Sequence, residues 1–186
     1  MSDIQYKSVS ESETTLTELM IPSYTNFGGK IHGGLLLSLM DKIAYVTATK
    51  HSDHYCVTVA IEGVEFLSPV EVGDLLSIKA SVNYVGNTTM IIGMRVDSFN
   101  TRTGESRYTN SCYFTMAAKN DDGTLKNVQG LIISNKQELI RFCEGRLIRE
   151  MSLKKRAALK SDLDGMSAEQ MSDLCKNENC KINNKL

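Results

Sequence analysis

Apolar residues recur along this chain with two different periods, and the change between them outlines the fold. Leu35, Leu36, Leu39, Met40, Ile43 and Ala44 follow three- and four-residue steps, which predicts a helix with a broad apolar side. Further on the period falls to two. Leu75 to Val85 carries Leu, Ser, Lys, Ser and Asn on one parity and Leu, Ile, Ala, Val and Tyr on the other, the pattern of a half-exposed antiparallel strand. Cys56 to Glu65, Thr89 to Ser98 and Arg107 to Ala118 are further β-rich stretches, joined in part by turns at Gly86-Asn87 and from Asn100 to Gly104. With Thr14 to Ile21 ahead of the helix, the expected order is strand, helix, then a meander of four strands. One apolar helix must then cover one face of the sheet, an α+β arrangement.

Beyond Ala118 the texture changes. Asn120 to Gly123 is a turn, and Ser134 to Leu159 predicts an amphipathic helix with Leu139, Ile140, Phe142, Cys143, Leu147, Ile148 and Met151 on its apolar side. The expected organisation is a polar N-terminal tail over 1–13, a domain over 14–120, a turn and helix over 121–160, and a polar, mobile tail over 161–186 with a short helix capped by Ser167.

Composition narrows the function classes. A chain of 186 residues that is 41% hydrophobic can bury a real core. Its 21 basic and 22 acidic residues argue against nucleic acid or an anionic membrane as the main partner. Met1 to Thr14 lacks the apolar centre of a signal peptide, and the apolar run around Leu35 to Met40 is too short to span a bilayer. Five cysteines without framework spacing fit reduced thiols, so a cytoplasmic location is expected. His51, His54 and Cys56 lack a fourth metal ligand at suitable spacing, and no metal site is expected.

The candidate chemistry lies between Thr25 and Asp41, where a glycine-rich entry leads into the apolar helix. Gly33 and Gly34 leave the first N–H groups of that helix open to an oxyanion or a polarised carbonyl. Gly34, Ser38, Asp41, Lys42 and Tyr45 fall on one helical face, and seven residues of rise put Gly34 and Asp41 roughly 10 Å apart. A carboxylate that orients water, opposite N–H donors that hold an oxygen, suffices to hydrolyse an acyl group. Asp41 equally suits a structural pairing with Lys42 or Ser38, and Asn26 a turn before glycines.

Motifs in order extend this reading: Pro22 and Asn26 ahead of the glycines, His32-Gly33-Gly34, Met40-Asp41, Val57-Thr58-Val59, Phe66-Leu67-Ser68-Pro69, Val72-Gly73-Asp74, Gly86-Asn87-Thr88-Thr89-Met90, and Thr109 through Thr115. At this spacing, from about Thr14 to Ala118, the chain resembles the hotdog-fold acyl-CoA thioesterases. The resemblance implies a hotdog fold, one long central helix wrapped by an antiparallel β-sheet, here with a C-terminal helical extension. It implies hydrolysis of fatty acyl-CoA to free fatty acid and CoA without a cofactor, at sites shared across a homodimer that assembles as a trimer of dimers. Asp41 then takes the place of the family's catalytic aspartate, and Asn26 that of the asparagine from the facing subunit. Gly33 and Gly34 polarise the carbonyl, and Leu36, Met40, Phe66 and Met90 line the acyl tunnel. His32, Asn87, Thr88, Arg107 and Asn110 are the expected CoA contacts, Arg107 being chosen over Lys30, Lys42, Arg102 and Lys119 because it starts the strand that carries Asn110. General-base attack by water and direct attack by Asp41 both remain open. Two other classes stand beside this one: a hotdog hydratase or dehydratase with His32 as base, and a non-catalytic acyl-CoA sensor.

Overall fold

The structure, a computed structural model, describes residues 5–176 and 178–182. Residues up to Arg149 form one compact unit and those from Glu150 a second.

In the first unit the helical period materialises as α2, Gly33–Ser52, preceded by β1 (Tyr6–Ser8), the single turn α1 (Val9–Ser12) and β2 (Thr14–Leu19). It is followed by β3 (Tyr55–Val64), β4 (Asp74–Val85), β5 (Thr89–Asn100) and β6 (Ser106–Lys119). Five strands make one antiparallel sheet in the order β2-β4-β5-β6-β3. Leu36, Leu39, Met40, Ile43, Ala44 and Ala48 of α2 share a buried core with Leu76, Ile78 and Val82 of β4, Met90, Ile92 and Val96 of β5, and Phe114 and Met116 of β6. Leu76, Ile78, Ala80 and Val82 of β4 therefore face the helix, as the alternation predicts, and the alternation breaks before Tyr84, where the pairing with β5 shifts register.

The meander holds for β4, β5 and β6, but β3 departs from it. β4 is bordered by β2, with Thr14 opposite Ala80 and Leu19 opposite Leu75, and by β5 on its other side. Both edges being filled, β3 crosses to the far side and pairs with β6, Tyr55 opposite Lys119 and Val64 opposite Cys112. The crossing segment runs past the mouth of α2, where Ile31 N–H donates to the Val70 carbonyl (3.0 Å) and Leu67 N–H to the Thr109 carbonyl (3.0 Å).

Within the stretch expected to be a polar tail, residues 6–12 are structured. β1 pairs in parallel with β7 (Gly130–Ile132), Tyr6 opposite Gly130, and α1 buries Val9 and Ser12. Ser12 donates to the Val9 carbonyl (2.7 Å) and accepts from Val82 N–H (3.0 Å). A three-residue strand has no readable period, and this one has its partner some 120 residues away.

α3 spans Lys136–Asp164. In the first unit its Gly145 is buried, so close to β4 that an added Cβ would stand 2.8 Å from that of Tyr84, and Phe142 packs on Tyr84 with ring centroids 5.1 Å apart. In the second unit Ser167 caps α4 (Ala168–Leu174) through a capping box with Gln170. The ends of both expected tails, 1–4 and 183–186, lie outside the described residues.

Candidate active site

Asn26 sits in a tight loop closed by a bridge between Thr25 and Ile31. Its Oδ1 accepts from the N–H groups of Gly28 (2.9 Å) and Lys30 (3.2 Å), and its own N–H donates to the Lys30 carbonyl (2.7 Å). The turn function is thus realised, yet only the oxygen of the amide serves it. Among the described residues nothing accepts from the Asn26 side-chain NH2 group, which is exposed. Beside it Phe27 projects fully into solvent.

His32 is the N-cap of α2. Its Nδ1 accepts from Gly34 N–H at 2.9 Å, so its proton resides on Nε2. The arrangement revises the expectation that either glycine offers its N–H: Gly34 is already engaged, and the Gly33 N–H is the one without an acceptor among the described residues. Gly34 must be glycine for a different reason, because a Cβ there would lie 2.8 Å from His32 Cε1. Above Gly33 stands Phe66, whose Cζ would be 3.5 Å from an added Cβ. His32 has the place and bonding of a cap, and Nδ1 is not free to act as a base.

Asp41 lies two turns into α2. Its partner is neither Lys42 nor Ser38 but Thr58 of β3, whose hydroxyl donates to Asp41 Oδ1 at 2.6 Å. Asp41 is exposed in the single chain. It opens onto a cleft of about 610 Å³ formed with Lys42, Tyr45 and Val46 of α2, Tyr55, Cys56, Val57 and Thr58 of β3, and Met116 of β6. Tyr45, Val46, Tyr55, Val59 and Ile61 are large apolar side chains exposed along this helix and edge strand. Thr58 lies in the Val57-Thr58-Val59 motif, and its signal in the sequence is a hydroxyl seventeen residues after Asp41, flanked on both sides by valine.

The expected CoA contacts scatter. Asn87 and Thr88 form the β4–β5 turn, held by Val128 N–H on the Asn87 carbonyl (2.9 Å) and Ala118 N–H on the Thr88 carbonyl (3.1 Å). That turn borders the Met90–Met116–Thr58 row and so shares an end of the sheet with the cleft. Arg107 and Asn110 do not. Arg107 donates to the fully buried Asp74 (3.1 Å), and Asn110 is buried beneath Met40, its Oδ1 accepting from Thr109 (3.0 Å). Both have structural partners instead of a place beside the carboxylate. Among the described residues no group of three or more His, Cys, Asp or Glu is placed to hold a metal ion, and no helix is long and apolar enough to cross a membrane.

A family profile described as the thioesterase superfamily matches residues 28–105. A solved structure called an apo-hexameric acyl-CoA thioesterase superposes with a TM-score of 0.80 at 37% identity, covering 84% of this chain and 99% of the other. The chain belongs to the thioesterase superfamily. The acyl-CoA hydrolase of Staphylococcus aureus, solved with butyryl coenzyme A and coenzyme A, is 28% identical with a TM-score of 0.78 over 86% of this chain and 97% of the other. That enzyme has also been solved with an asparagine, an aspartate or a threonine replaced by alanine. Protein VdlD of Helicobacter pylori is 42% identical over 116 residues, 62% of this chain and 67% of the relative. With the superfamily established, the α2 and five-stranded sheet of this chain are its hotdog core.

Proposed function

We propose that the protein hydrolyses fatty acyl-CoA thioesters, with Asp41 as general base. The observation that carries the proposal is the 2.6 Å hydrogen bond from Thr58 to Asp41, which fixes a carboxylate at the wall of an open cleft. The three substituted residues of the S. aureus hydrolase support it: they are spaced by fifteen and seventeen positions, as are Asn26, Asp41 and Thr58.

The chemistry follows from these groups. Thr58 occupies Oδ1 and leaves Oδ2 to take a proton from water. The water oxygen attacks the thioester carbon, and the developing oxyanion is held by the Gly33 N–H at the positive end of α2. Collapse expels the CoA thiolate, which receives the proton, and releases a carboxylic acid. A thiolate leaves far more readily than an amine, so no stronger apparatus is required.

The active unit in this proposal is a homodimer, with Asn26 of one subunit presenting its NH2 group to the site of the other, and three dimers forming a hexamer. The outer edge of β3, unpaired among the described residues, and the exposed Tyr45, Val46, Val59 and Ile61 support the first step, and the hexameric relatives support the second. Thiol release from a panel of acyl-CoAs of increasing chain length is the decisive measurement. Turnover with at least one, lost in Asp41→Asn, is expected; absence of turnover across the panel would leave a binding protein on the same fold.

A further inference from the structure

The sheet face turned away from α2 carries a second pocket, of about 370 Å³, within the range of small-molecule sites. Its floor is Ser81, Asn83, Gly93 and Met94, and its walls include Thr15 and Lys79 on one side and Gln137, Arg141 and Glu144 of α3 on the other. Nothing in the hydrolysis proposed above uses these residues.

Two departures from regular strand geometry meet at this floor. The β4–β5 register slips between Val82 and Tyr84, so Asn83 is an extra, bulged residue. Gly93 of β5, which pairs with Ser81, lies against this residue: a Cβ there would stand 2.1 Å from Asn83 Nδ2. A glycine within a strand weakens it and marks a place that something must approach closely. Here the approaching group is the Asn83 carboxamide, 6% exposed. Ser81, also buried, donates its hydroxyl to Asn83 Oδ1 (3.0 Å) and thereby fixes the amide's orientation. The remaining NH2 group has no acceptor among the described residues and is left accessible at the lining of the pocket.

Charge at the rim points to what completes it. Lys79 and Arg141 line the pocket and make no ion pair among the described residues, whereas Arg95 is spent on Asp97 (2.8 Å). Of the carboxylates, Glu144 accepts from Tyr113 (3.2 Å) and Glu13 stands at the β2 end. We infer that this pocket binds a small organic anion, a carboxylate or a phosphate ester, whose oxygens accept from the Asn83 amide and face Lys79 and Arg141.

The test is calorimetric titration and thermal unfolding of the full chain with inorganic phosphate, glycerol phosphate and succinate, against sodium chloride at matched ionic strength. At least one probe should bind saturably and raise the midpoint, with phosphate and succinate separating the two anion types. Arg141→Gln and Lys79→Gln alter exposed side chains and should each weaken that binding about tenfold; Asn83→Asp, which replaces the donor with a like charge, should abolish it. Stabilisation no greater than with chloride, or binding that survives Arg141→Gln unchanged, would overturn the inference, the second outcome placing the anion elsewhere on the protein.

Discussion

At the scale of single residues, the strongest commitments concern Asp41 and the two groups that define its surroundings. Asp41→Asn keeps the shape and removes the base, so kcat should fall about 100-fold or more with little change in unfolding midpoint. Thr58→Val removes a donor to the carboxylate while keeping volume. Without that hydrogen bond the carboxylate loses its fixed orientation toward the attacking water, so kcat should fall about tenfold. An unchanged kcat would assign Thr58 to packing alone. Gly34→Val should expel the His32 ring from its cap, costing about 1 kcal/mol in stability as well as activity; denaturant titration would show it. Asp41 was legible in the sequence because a charge in an apolar helix behind glycines has few uses. Its exposure was not, since helical periodicity says which residues share a face and nothing of whether that face is covered. Arg107 shows a related limit: its position on a strand was readable, but the buried carboxylate it pairs with lies on a different strand.

The elements show the same division between local and distant information. β4, β5 and β6 have strong periods and appear within about two residues of where the pattern places them, and α2 contains its apolar pattern and runs on to Ser52. β1 and β7 have three residues each and were invisible. Their role is seen at the end of α2, where Asp53 takes the left-handed conformation (φ 58°) and its carboxylate receives Lys7 at 2.6 Å and Gln129 at 3.1 Å. Two residues earlier His51 is fully buried, donating from Nε2 to the Gln129 carbonyl (3.0 Å), with no donor near Nδ1 among the described residues. Burial holds its pKa below the ordinary 6.5, outweighing the carboxylates of Asp53 and Glu11, and Lys7 acts in the same sense as burial. The unfolded chain therefore binds a proton that the folded chain refuses as pH falls through 6.5. Stability should decline below that point by up to about 1.4 kcal/mol per pH unit from this group. Urea midpoints at pH 7.5 and 5.5 should show a smaller decline in His51→Gln, which retains an N–H donor; an equal decline would assign the acid sensitivity to other groups.

For the whole molecule, a shared site makes a quantitative prediction. Asn26→Ala and Asp41→Ala proteins, each inactive alone, should regain about one quarter of wild-type activity when unfolded together and refolded as a mixture, because half the dimers are mixed and half their sites intact. Mixed dimers confirmed by mass spectrometry but without activity would place both residues in one chain. The β3 edge of the sheet has a further consequence through the order of the strands. β3 has β6 as its sheet neighbour, Tyr55 meeting Lys119, and β1 waits for Gly130. On a ribosome, the third strand to be made stays unpaired while the next fifty or so residues emerge, and the first strand waits longer still. During that interval Val59 and Ile61 are carried on a segment with neither neighbour in place, so a stalled or truncated chain ending before β6 should be a client for chaperones, its hazard set by the timing of synthesis more than by the stability of the finished fold.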